Sequence, residues 1–502
     1  MLLLSTYLLI AVALKLFKVM YRHMENSQNI KEQVKMIGMD FGSTTSSAMI
    51  AVAGVGMNSV TGRMAFSAPE IVYRSNVEFT PFKGTEIDAS AIAELLDTWL
   101  EKGDNIFSGG VIITGLAALQ QNSVHIAALI KERIGQAVIA TVDDPNLESW
   151  LAFMGCAALL SRHFKNETLV NLDIGGGTTN PAAGQNGQVK TTGCFYIGAR
   201  HFQFEPGTYR LINISEYGYS MLSHIGASNE IGDTLGADIL NKILDLYIEA
   251  LKAIARGDLA FFESEIGQRL CQTSFILPPN VDSPLITFSG GVGELIYKIT
   301  ENEPIPSTTF YGDLGIDLAK RIISDPFFSK QITTIRPENM GRATVYGLTL
   351  HNTEISGATL FLPDTSALPL NDVPIVARLS MSCDLDDLLN SISVVAQRSG
   401  KACIQMLPVT DSEGGDLPAS LQQIKTLGVR INQALATLTI DLPLVILVPG
   451  NFGKALGNYA TDWGKSSAKL MIIDEIPDRS AQFVNIGSPY RGVVPVSFYG
   501  IY

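Results

Sequence analysis

The sequence predicts an α/β fold in which two related lobes are followed by a further α/β region. Two glycine-rich turns carry this prediction, because each follows an apolar strand that ends in a carboxylate, at MDFGSTTS (39–46) and at LDIGGGTTN (172–180). A third strand ends in paired glycines before a helix, at TFSGGVGELI (287–296). The aligned residues Asp40 and Asp173 stand 133 positions apart, and a motif repeated in this way indicates an internal duplication.

The first half begins with an apolar strand over residues 34–40, and the glycine turn leads into a second strand at SAMIAVAG (47–54). A turn that joins strand to strand excludes both the P-loop and the dinucleotide fingerprint, because each of those opens a helix. Further along, GGVIITGLAAL (109–119) predicts a strand followed by a helix start. The stretch LESWLAFMGCAALL (147–160) predicts a helix that packs closely through small residues.

The second half repeats this order of elements. A strand at LVNLDI (169–174) is followed by the glycine turn and by a return strand at TNPAAGQ (179–185). An Asn-Gly pair then predicts a hairpin turn into a third strand at QVKTTGCFYIG (188–198). Pro181 cannot donate a ladder hydrogen bond, so we expect weaker pairing at that edge of the return strand.

Three helices complete the second half. The segment over 234–255 has the spacing of a long amphipathic helix. The strand that ends in paired glycines leads into a helix at VGELIYKI (292–299), and the glycine-bracketed segment over 341–352 also has helical spacing. After it come short strands between turns, together with one helical stretch over 420–438, and this C-terminal region offers no recognisable chemistry of its own.

The chain is thus predicted to comprise an N-terminal segment over 1–30, a first half over 34–165, a second half over 166–358 and a C-terminal α/β region over 359–502. The N-terminal segment starts with 14 uncharged residues, which as a helix reach only ~21 Å against a ~30 Å hydrocarbon core. We interpret it as an extension outside the working protein, with a membrane anchor or an interfacial helix through residues 1–22 as alternatives. A protein that lacks residues 1–23 is predicted to be soluble and active.

Composition limits the function classes. The net charge of −13 makes the chain a poor non-specific partner for nucleic acid, so no nucleic-acid role is expected. The five cysteines form no CxxC pair, which indicates a reduced, cytoplasmic chain without a structural zinc or iron–sulfur site. An anionic small ligand remains compatible with this charge, because backbone N–H groups and Mg²⁺ can hold phosphates.

The two glycine turns have the features of a site for a magnesium-bound polyphosphate. If they face each other, the carboxylates of Asp40 and Asp173 can both bind Mg²⁺, which prefers oxygen ligands and often sits between phosphates and aspartates. Glycines let the backbone approach the phosphates, and the neighbouring hydroxyls lie at the same rim. The residues expected to contact the nucleotide here are Asp40, Gly42, Ser43, Thr44, Thr45, Gly175, Gly176, Gly177 and Thr178.

Such a site also supports phosphoryl transfer, which requires mostly positioning and charge neutralisation. One carboxylate could orient the attacking water, and the sequence offers Asp173 and Glu148 for this role. Glu148 on its own can equally be read as a solvated residue at a helix start.

Taken together, the two hairpins and the FSGG strand resemble the actin-like ATPase superfamily, which includes actin, Hsp70-type chaperones and sugar kinases. This resemblance implies two lobes around a nucleotide cleft, with Gly290, Gly291, Gly293 and Glu294 against the nucleoside.

A narrower resemblance is to the ethanolamine utilization protein EutA family, the reactivating factors of ethanolamine ammonia-lyase. It rests on stretches that run in family order from about residue 34 to 499: GMDFGSTTS, GVIITG, LES, NLDIGGGTTN, TFSGGVGE, RATVYG, PGNFGKALG, IIDEIP and VNIGSPYRGVVPV. The C-terminal stretches discriminate, since general actin-like ATPases lack them.

This second resemblance implies a chaperone-like ATPase that uses ATP and Mg²⁺ to exchange damaged adenosylcobalamin in its partner, the cobalamin-bound ethanolamine ammonia-lyase. It implies a cytoplasmic location, with association with an ethanolamine-utilization microcompartment and homo-oligomerisation both left open. Two rival functions remain: a small-molecule kinase of the same fold, and a membrane-tethered actin-like filament or scaffold protein. A radical-dehydratase activator would need closely spaced cysteines, which the chain lacks.

Overall fold

The structure is a computed structural model that describes residues 33–501, except for 58–62, 84–85, 104–105, 135–137, 143, 282, 411–415, 438–442, 467–468 and most of 383–398. The predictions for residues 1–30 fall outside the described residues. Three large sheets organise the rest of the chain. Among the described residues, no helix combines the length and the apolar character that crossing a bilayer requires.

The first half is a mixed sheet with the order β3-β2-β1-β7-β8, to which β4 is attached through β2. Its strands β1 to β3 are antiparallel, whereas β7 and β8 run parallel to β1. Its elements are β1 (Gln33–Phe41), β2 (Thr45–Met57), β3 (Met64–Arg74), β4 (Glu78–Phe79), β5 (Phe82–Lys83), β6 (Glu86–Ile87), α1 (Ala89–Leu100), β7 (Ile106–Ile113), α2 (Gly115–Ala118), α3 (Ser123–Ile134), β8 (Val138–Val142), α4 (Pro145–Cys156) and α5 (Ala158–His163).

One apolar face of β1 forms the core of this half. Ile37, Met39 and Phe41 alternate along the strand and are fully buried against α1 and α3, as expected for the period of two along a strand. The ring of Phe41 lies 5.7 Å from that of Trp99, centroid to centroid. Asp88 caps α1 by accepting the backbone N–H groups of its first turn. The packing of Met39 and Phe41, on either side of Asp40, therefore fixes the end of β1 that carries this carboxylate.

The second half has the sheet order β15-β12-β10-β9-β16, with β11 attached to β10. As in the first half, the central hairpin is antiparallel and the next strand, β16, runs parallel to β9. Its elements are β9 (Leu169–Ile174), β10 (Thr179–Gln185), β11 (Gln188–Thr192), β12 (Cys194–Phe195), β13 (Phe202–Phe204), β14 (Leu211–Ile214), α6 (Glu216–His224), α7 (Ala237–Arg256), α8 (Ala260–Glu263), α9 (Glu265–Leu270), β15 (Cys271–Thr273), β16 (Leu285–Ser289), α10 (Gly290–Thr300), α11 (Gly315–Ser324), α12 (Pro326–Thr334) and α13 (Ala343–Leu350).

Both halves use the same hairpin register around their carboxylates. Asp40 pairs with Ser47 and Asp173 pairs with Asn180, so each carboxylate faces the residue seven positions later. In both turns the glycine two residues after the aspartate donates its N–H to the carbonyl three residues further on, over 3.0 Å and 2.9 Å. This shared register, together with a parallel strand beside each hairpin, confirms the predicted duplication of an α/β unit.

Two details of the second half differ from expectation. The predicted third strand is two strands, because Gly193 interrupts it between β11 and β12 and donates its N–H to the carbonyl of Pro181 over 3.0 Å. The nitrogen of Pro181 faces the same side as its carbonyl, towards this interruption. The pairing of β10 with β9 accordingly continues without a break from Thr179 to Gly184, and the expected weakening does not affect it.

The two halves meet at a pair of helices, α4 and α13. Backbone approaches backbone there, since a Cβ added at Gly155 would lie 2.0 Å from the carbonyl oxygen of Ala343, and one at Gly347 would lie 2.2 Å from that of Leu151. The small residues of both sequence stretches thus serve helix packing. α13 also reaches β1, where Gly38 faces Thr349.

The C-terminal region is a seven-stranded sheet of order β17-β25-β24-β18-β19-β22-β23, in which the last four run parallel. Its first strand precedes the boundary predicted at residue 359. Its elements are β17 (Thr353–Ile355), β18 (Leu370–Leu379), β19 (Ala402–Met406), β20 (Val409–Thr410), β21 (Asp416–Leu417), α14 (Leu421–Leu435), β22 (Leu444–Leu447), α15 (Gly453–Ala460), β23 (Leu470–Ile473), β24 (Ala481–Ile486) and β25 (Pro495–Ile501).

Candidate functional site

The two glycine hairpins face each other across a cleft of about 380 Å³. Their contact is direct: a Cβ added at Gly176 would lie 2.4 Å from the Oγ1 of Thr44 and 3.1 Å from the Cβ of Ser43. An alanine at this position would require the Thr44 hydroxyl to rotate away and the Ser43 side chain to shift, so glycine is what allows the two turns to approach this closely.

The two strand-end carboxylates lie at the bottom of this cleft. Burial, with a smaller contribution from the nearby charge of Asp173, raises the pKa of Asp40 to about 7. Burial also raises the pKa of Asp173, to about 6. A hydroxyl opposes this effect at each carboxylate, since Thr114 donates to Asp40 over 3.1 Å and Ser289 donates to Asp173 over 2.5 Å. Without a cation, the pair therefore resists full ionisation near neutral pH.

A hydrogen-bonded chain fixes the side chain of Asp173 from behind. Ser289 accepts from the amide of Asn171 over 2.8 Å while it donates to Asp173, and the amide oxygen of Asn171 accepts from Thr287 over 3.1 Å. All three supporting side chains are fully buried. Because every member has a partner, Asp173 is held in one orientation towards the cleft.

A short 3-10 turn over Ala199–His201 supports the second hairpin. The N–H of Ala199 donates to the carbonyl of Gly175 over 3.1 Å, and the N–H of Arg200 donates to that of Gly176 over 2.6 Å. The guanidinium of Arg200 lies 3.8 Å from Asp313, a buried carboxylate that also lines the cleft. This packing holds the glycine backbone in place.

The strand β16 and the helix α10 supply the third wall. Gly290 adopts φ +78°, and a Cβ there would lie 2.5 Å from the carbonyl oxygen of Ile174, so only glycine fits between the two strand ends. Glu294 lies in the cleft and binds Lys298 over 2.7 Å. Arg342 lines the same wall, and its Nη1 is buried without a hydrogen-bond partner in the described part of the chain.

The structure brings almost all predicted site residues to this one cleft. Gly293 is the exception: it lies outside the cleft, and a Cβ there would meet the backbone of Phe288 at 2.9 Å, so this glycine serves the packing of α10 on β16. Glu148 lines the cleft from the first turn of α4. The predicted residues found in the cleft lining are Asp40, Gly42, Ser43, Thr44, Thr45, Glu148, Asp173, Gly175, Gly176, Gly177, Thr178, Gly290, Gly291 and Glu294.

Several lining residues were not predicted from the sequence. Thr114 lines the cleft directly after β7, and a glycine follows it. Ser289, the last residue of β16, is also followed by a glycine, and it supports Asp173 from behind the cleft wall. The recurrence of a hydroxyl and a glycine at the end of both parallel strands was a usable signal. Asp313, in a loop, and Arg342, at the end of a short 3-10 helix, had no such signal, because their segments reach the cleft only in the folded chain.

The cleft fits a magnesium-bound polyphosphate by the chemistry of its side chains. The Oγ1 of Thr44 is buried with no hydrogen-bond partner among the described residues, and it stands beside the backbone of the opposite hairpin. Of the carboxylates that line the cleft, those of Asp40 and Asp173 end the two central strands, and the described residues hold no cluster of three or more His, Cys, Asp or Glu side chains placed to bind a metal ion by themselves. This donor set suits Mg²⁺, which retains waters and takes phosphate oxygens as further ligands.

Comparisons with known proteins support a single family. The family model for the ethanolamine utilisation protein EutA matches residues 32–500. Two relatives, each named ethanolamine ammonia-lyase reactivase EutA, come from Salmonella typhimurium and Escherichia coli. Each is 28% identical over 480 residues, covering 93% of this chain and 97% of the relative.

Solved structures are similar over a smaller share of the chain. An exopolyphosphatase-like protein is 15% identical with a TM-score of 0.34, over 54% of this chain and 71% of its own. The protein MreB 5 of Spiroplasma citri, bound to AMPPNP, is 15% identical with a TM-score of 0.27, over 60% of this chain and 99% of its own. Because the family model spans nearly the whole sequence, the chain belongs to the ethanolamine utilisation protein EutA family.

Proposed function

We propose that this chain is a magnesium-dependent ATPase that reactivates ethanolamine ammonia-lyase by promoting the release and exchange of damaged adenosylcobalamin. The observation that carries the ATPase part is the meeting of two glycine hairpins, each with a strand-end carboxylate, in one cleft. The partner is supported by the names of the two relatives, which align with this chain over 97% of their length. The expected place of action is the cytoplasm, or a microcompartment that contains the lyase.

In this proposal Asp40 and Asp173 hold Mg²⁺, and Gly290, Gly291, Glu294 and Arg342 surround the nucleoside. Bound Mg²⁺ supplies positive charge that neutralises the phosphates. The chain itself does the positioning. Thr44 and the backbone of the opposite hairpin hold the phosphates, and Ser289 keeps the carboxylate of Asp173 aimed into the cleft. Glu148, at the start of α4, orients the attacking water.

Nucleotide binding bridges the two halves, because the hairpin of each half contributes to the same site. A ligand that binds the closed arrangement more tightly than the open one shifts the chain towards closure by that difference in affinity. Such a change in the relative position of the halves is the event that would open the cofactor site of the lyase.

The test is recovery of activity by ethanolamine ammonia-lyase that has been inactivated with hydroxocobalamin. The inactive lyase is incubated with this protein, fresh adenosylcobalamin, ATP and Mg²⁺, and lyase activity is measured over time. We expect recovery only when ATP and Mg²⁺ are both present, and none with the Asp173→Asn variant. Recovery that is equally fast without nucleotide, or with the variant, would refute the proposal.

A further inference from the structure

The nucleotide cleft is lined by exposed apolar side chains that come from both halves. Phe79, the last residue of β4 in the first half, and Phe310, in the loop before α11 in the second half, both line it. Phe79 is 58% exposed and Phe310 is 51% exposed, so neither ring is covered in this arrangement of the halves. Val77 is a further exposed apolar side chain in the same lining. Charged phosphates do not bind such side chains, so a site for polyphosphate alone does not explain them.

The segment that carries Phe79 is bound directly to the glycine turn of the first half. Phe79 pairs with Thr45 of β2. The next residue, Thr80, donates its N–H to the carbonyl of Thr44 over 3.0 Å and its hydroxyl to the carbonyl of Gly42 over 2.7 Å. Both carbonyls belong to the first glycine turn, so Phe79 keeps its position relative to that turn when the halves move.

A strained and firmly bonded turn carries Phe310. Its neighbour Thr309 is fully buried at φ +52°, a conformation that a β-branched residue rarely adopts. The hydroxyl of Thr309 donates to the carbonyl of Thr208 over 2.7 Å, and its own carbonyl accepts the N–H of Gly312 over 2.8 Å. Strain of this kind persists only where the surrounding structure over-determines the backbone, and it is concentrated at functional sites. The turn therefore holds Phe310 at the cleft against the cost of exposing its ring.

The turn that carries Phe310 is also connected to the glycine turn of the second half. The Nη1 of Arg200 donates to the carbonyl of Tyr311 over 3.3 Å. The backbone N–H of the same arginine donates to the carbonyl of Gly176, in the second glycine turn, over 2.6 Å. Each half thus has one exposed aromatic ring that is bonded, through its segment, to its own glycine turn.

We propose that Phe79 and Phe310 form an apolar clasp, in which the two rings contact each other when the halves close on a magnesium-bound nucleotide. A ligand held by both glycine turns draws the rings together, because each ring follows its own turn. Their contact removes apolar surface from water and covers the opening of the cleft. The contact exists only in the closed arrangement, so it raises the affinity for a ligand that both turns hold. This inference rests on the proposed function for the identity of that ligand.

The experiment is a double-mutant cycle on the full chain, with affinity for a non-hydrolysable ATP analogue and Mg²⁺ measured by calorimetric titration. The cycle consists of Phe79→Ser, Phe310→Ser and the variant with both changes. Phe164→Ser is the matched control, because it makes the same change at a side chain that is 37% exposed, directly after α5 and outside the cleft lining. Phe310→Leu retains an apolar side chain at the clasp. Thermal melts check that all of these variants fold.

We expect Phe79→Ser and Phe310→Ser each to weaken binding of the analogue by about 5- to 20-fold, because either change removes the burial of both rings. The double variant should bind no more than about 2-fold more weakly than the weaker single variant, since the contact is already lost in each of them. Phe310→Leu should stay within about 3-fold of the wild type, and Phe164→Ser within about 2-fold.

Several outcomes overturn the clasp. Single variants that bind the analogue as tightly as the Phe164→Ser control show that the rings do not contribute to closure. Effects that add in the double variant show that each ring acts by itself, on the ligand or within its own half, and not on the other ring. Binding by Phe310→Leu as weak as that by Phe310→Ser shows that apolar contact is not what the ring supplies. If the wild-type chain does not bind the analogue with Mg²⁺, the proposed function itself fails, whereas normal binding by every variant removes the clasp alone.

Discussion

Binding of magnesium nucleotide should depend steeply on pH, because the two proposed ligands must lose protons first. The pKa values of Asp40 and Asp173 are about 7 and about 6 in the empty cleft. At pH 8 about 90% of the molecules have both carboxylates ionised, whereas at pH 6 only about 5% do. The affinity should therefore fall by roughly 20-fold between pH 8 and pH 6.

The assay is calorimetric titration of the protein with a non-hydrolysable ATP analogue and Mg²⁺ at several pH values. The analogue itself titrates in this range, so the Asp40→Asn variant serves as the reference. It lacks the carboxylate of higher pKa, and we expect its affinity to fall about 10-fold less over the same interval. A wild-type curve parallel to that of the variant would refute the assignment of Asp40 as a group that ionises on metal binding.

Three further predictions concern the same cleft. Asp173→Asn should abolish ATP turnover and leave the far-UV circular dichroism spectrum unchanged; turnover at the wild-type rate would remove Asp173 from the site. Gly176→Ala should weaken nucleotide binding, because its Cβ would lie 2.4 Å from the Oγ1 of Thr44. The control variant Gly56→Ala should bind nucleotide normally, because a Cβ at that position has no atom within 4 Å. Equal affinities of the two variants would contradict the close contact of the hairpins. The wild-type protein without nucleotide should lose thermal stability as pH rises from 5 to 8, because a carboxyl whose pKa is raised in the folded state stabilises the fold only while it is protonated. The Asp40→Asn variant should show a flatter profile of melting temperature against pH. Parallel profiles would mean that Asp40 is not buried as described.

The parts of the site that are local in sequence could be predicted, and the parts that depend on tertiary contacts could not. A carboxylate followed by a glycine turn is a complete local signal, and it correctly identified both hairpins. The hydroxyls of Thr114 and Ser289 reach carboxylates 74 and 116 positions away, and no periodic pattern specifies such a pairing. The position of Gly293 outside the cleft lining has a related reason, because the motif places a glycine in the helix but does not specify the side of the helix on which it lies.

The same limit applied to the strand at QVKTTGCFYIG. Its composition is that of one continuous strand, and β-propensity alone supports that reading. The interruption at Gly193 depends on Phe275, whose Cβ would lie 2.6 Å from a Cβ at that glycine. Phe275 follows β15, which pairs with β12. A contact from 82 positions downstream thus determines where the strand divides.

The placement of the two carboxylates on different halves gives the cleft a physical reason to open and close. Asp40 belongs to the first half and Asp173 to the second, and the charge on one opposes ionisation of the other. In the empty, ionised state this repulsion favours separation of the halves, whereas a bound cation between them reverses its sign. In the proposed function, nucleotide and Mg²⁺ bind more tightly when both carboxylates take part than when the halves are apart. This difference in affinity is what would move the chain towards closure. The contact that must accommodate this motion is the α4–α13 pair, and α4 is also the helix that carries Glu148 into the cleft. A change of angle between α4 and α13 would therefore move Glu148 relative to the two hairpins, so the proposed closure of the halves and the position of this carboxylate are coupled.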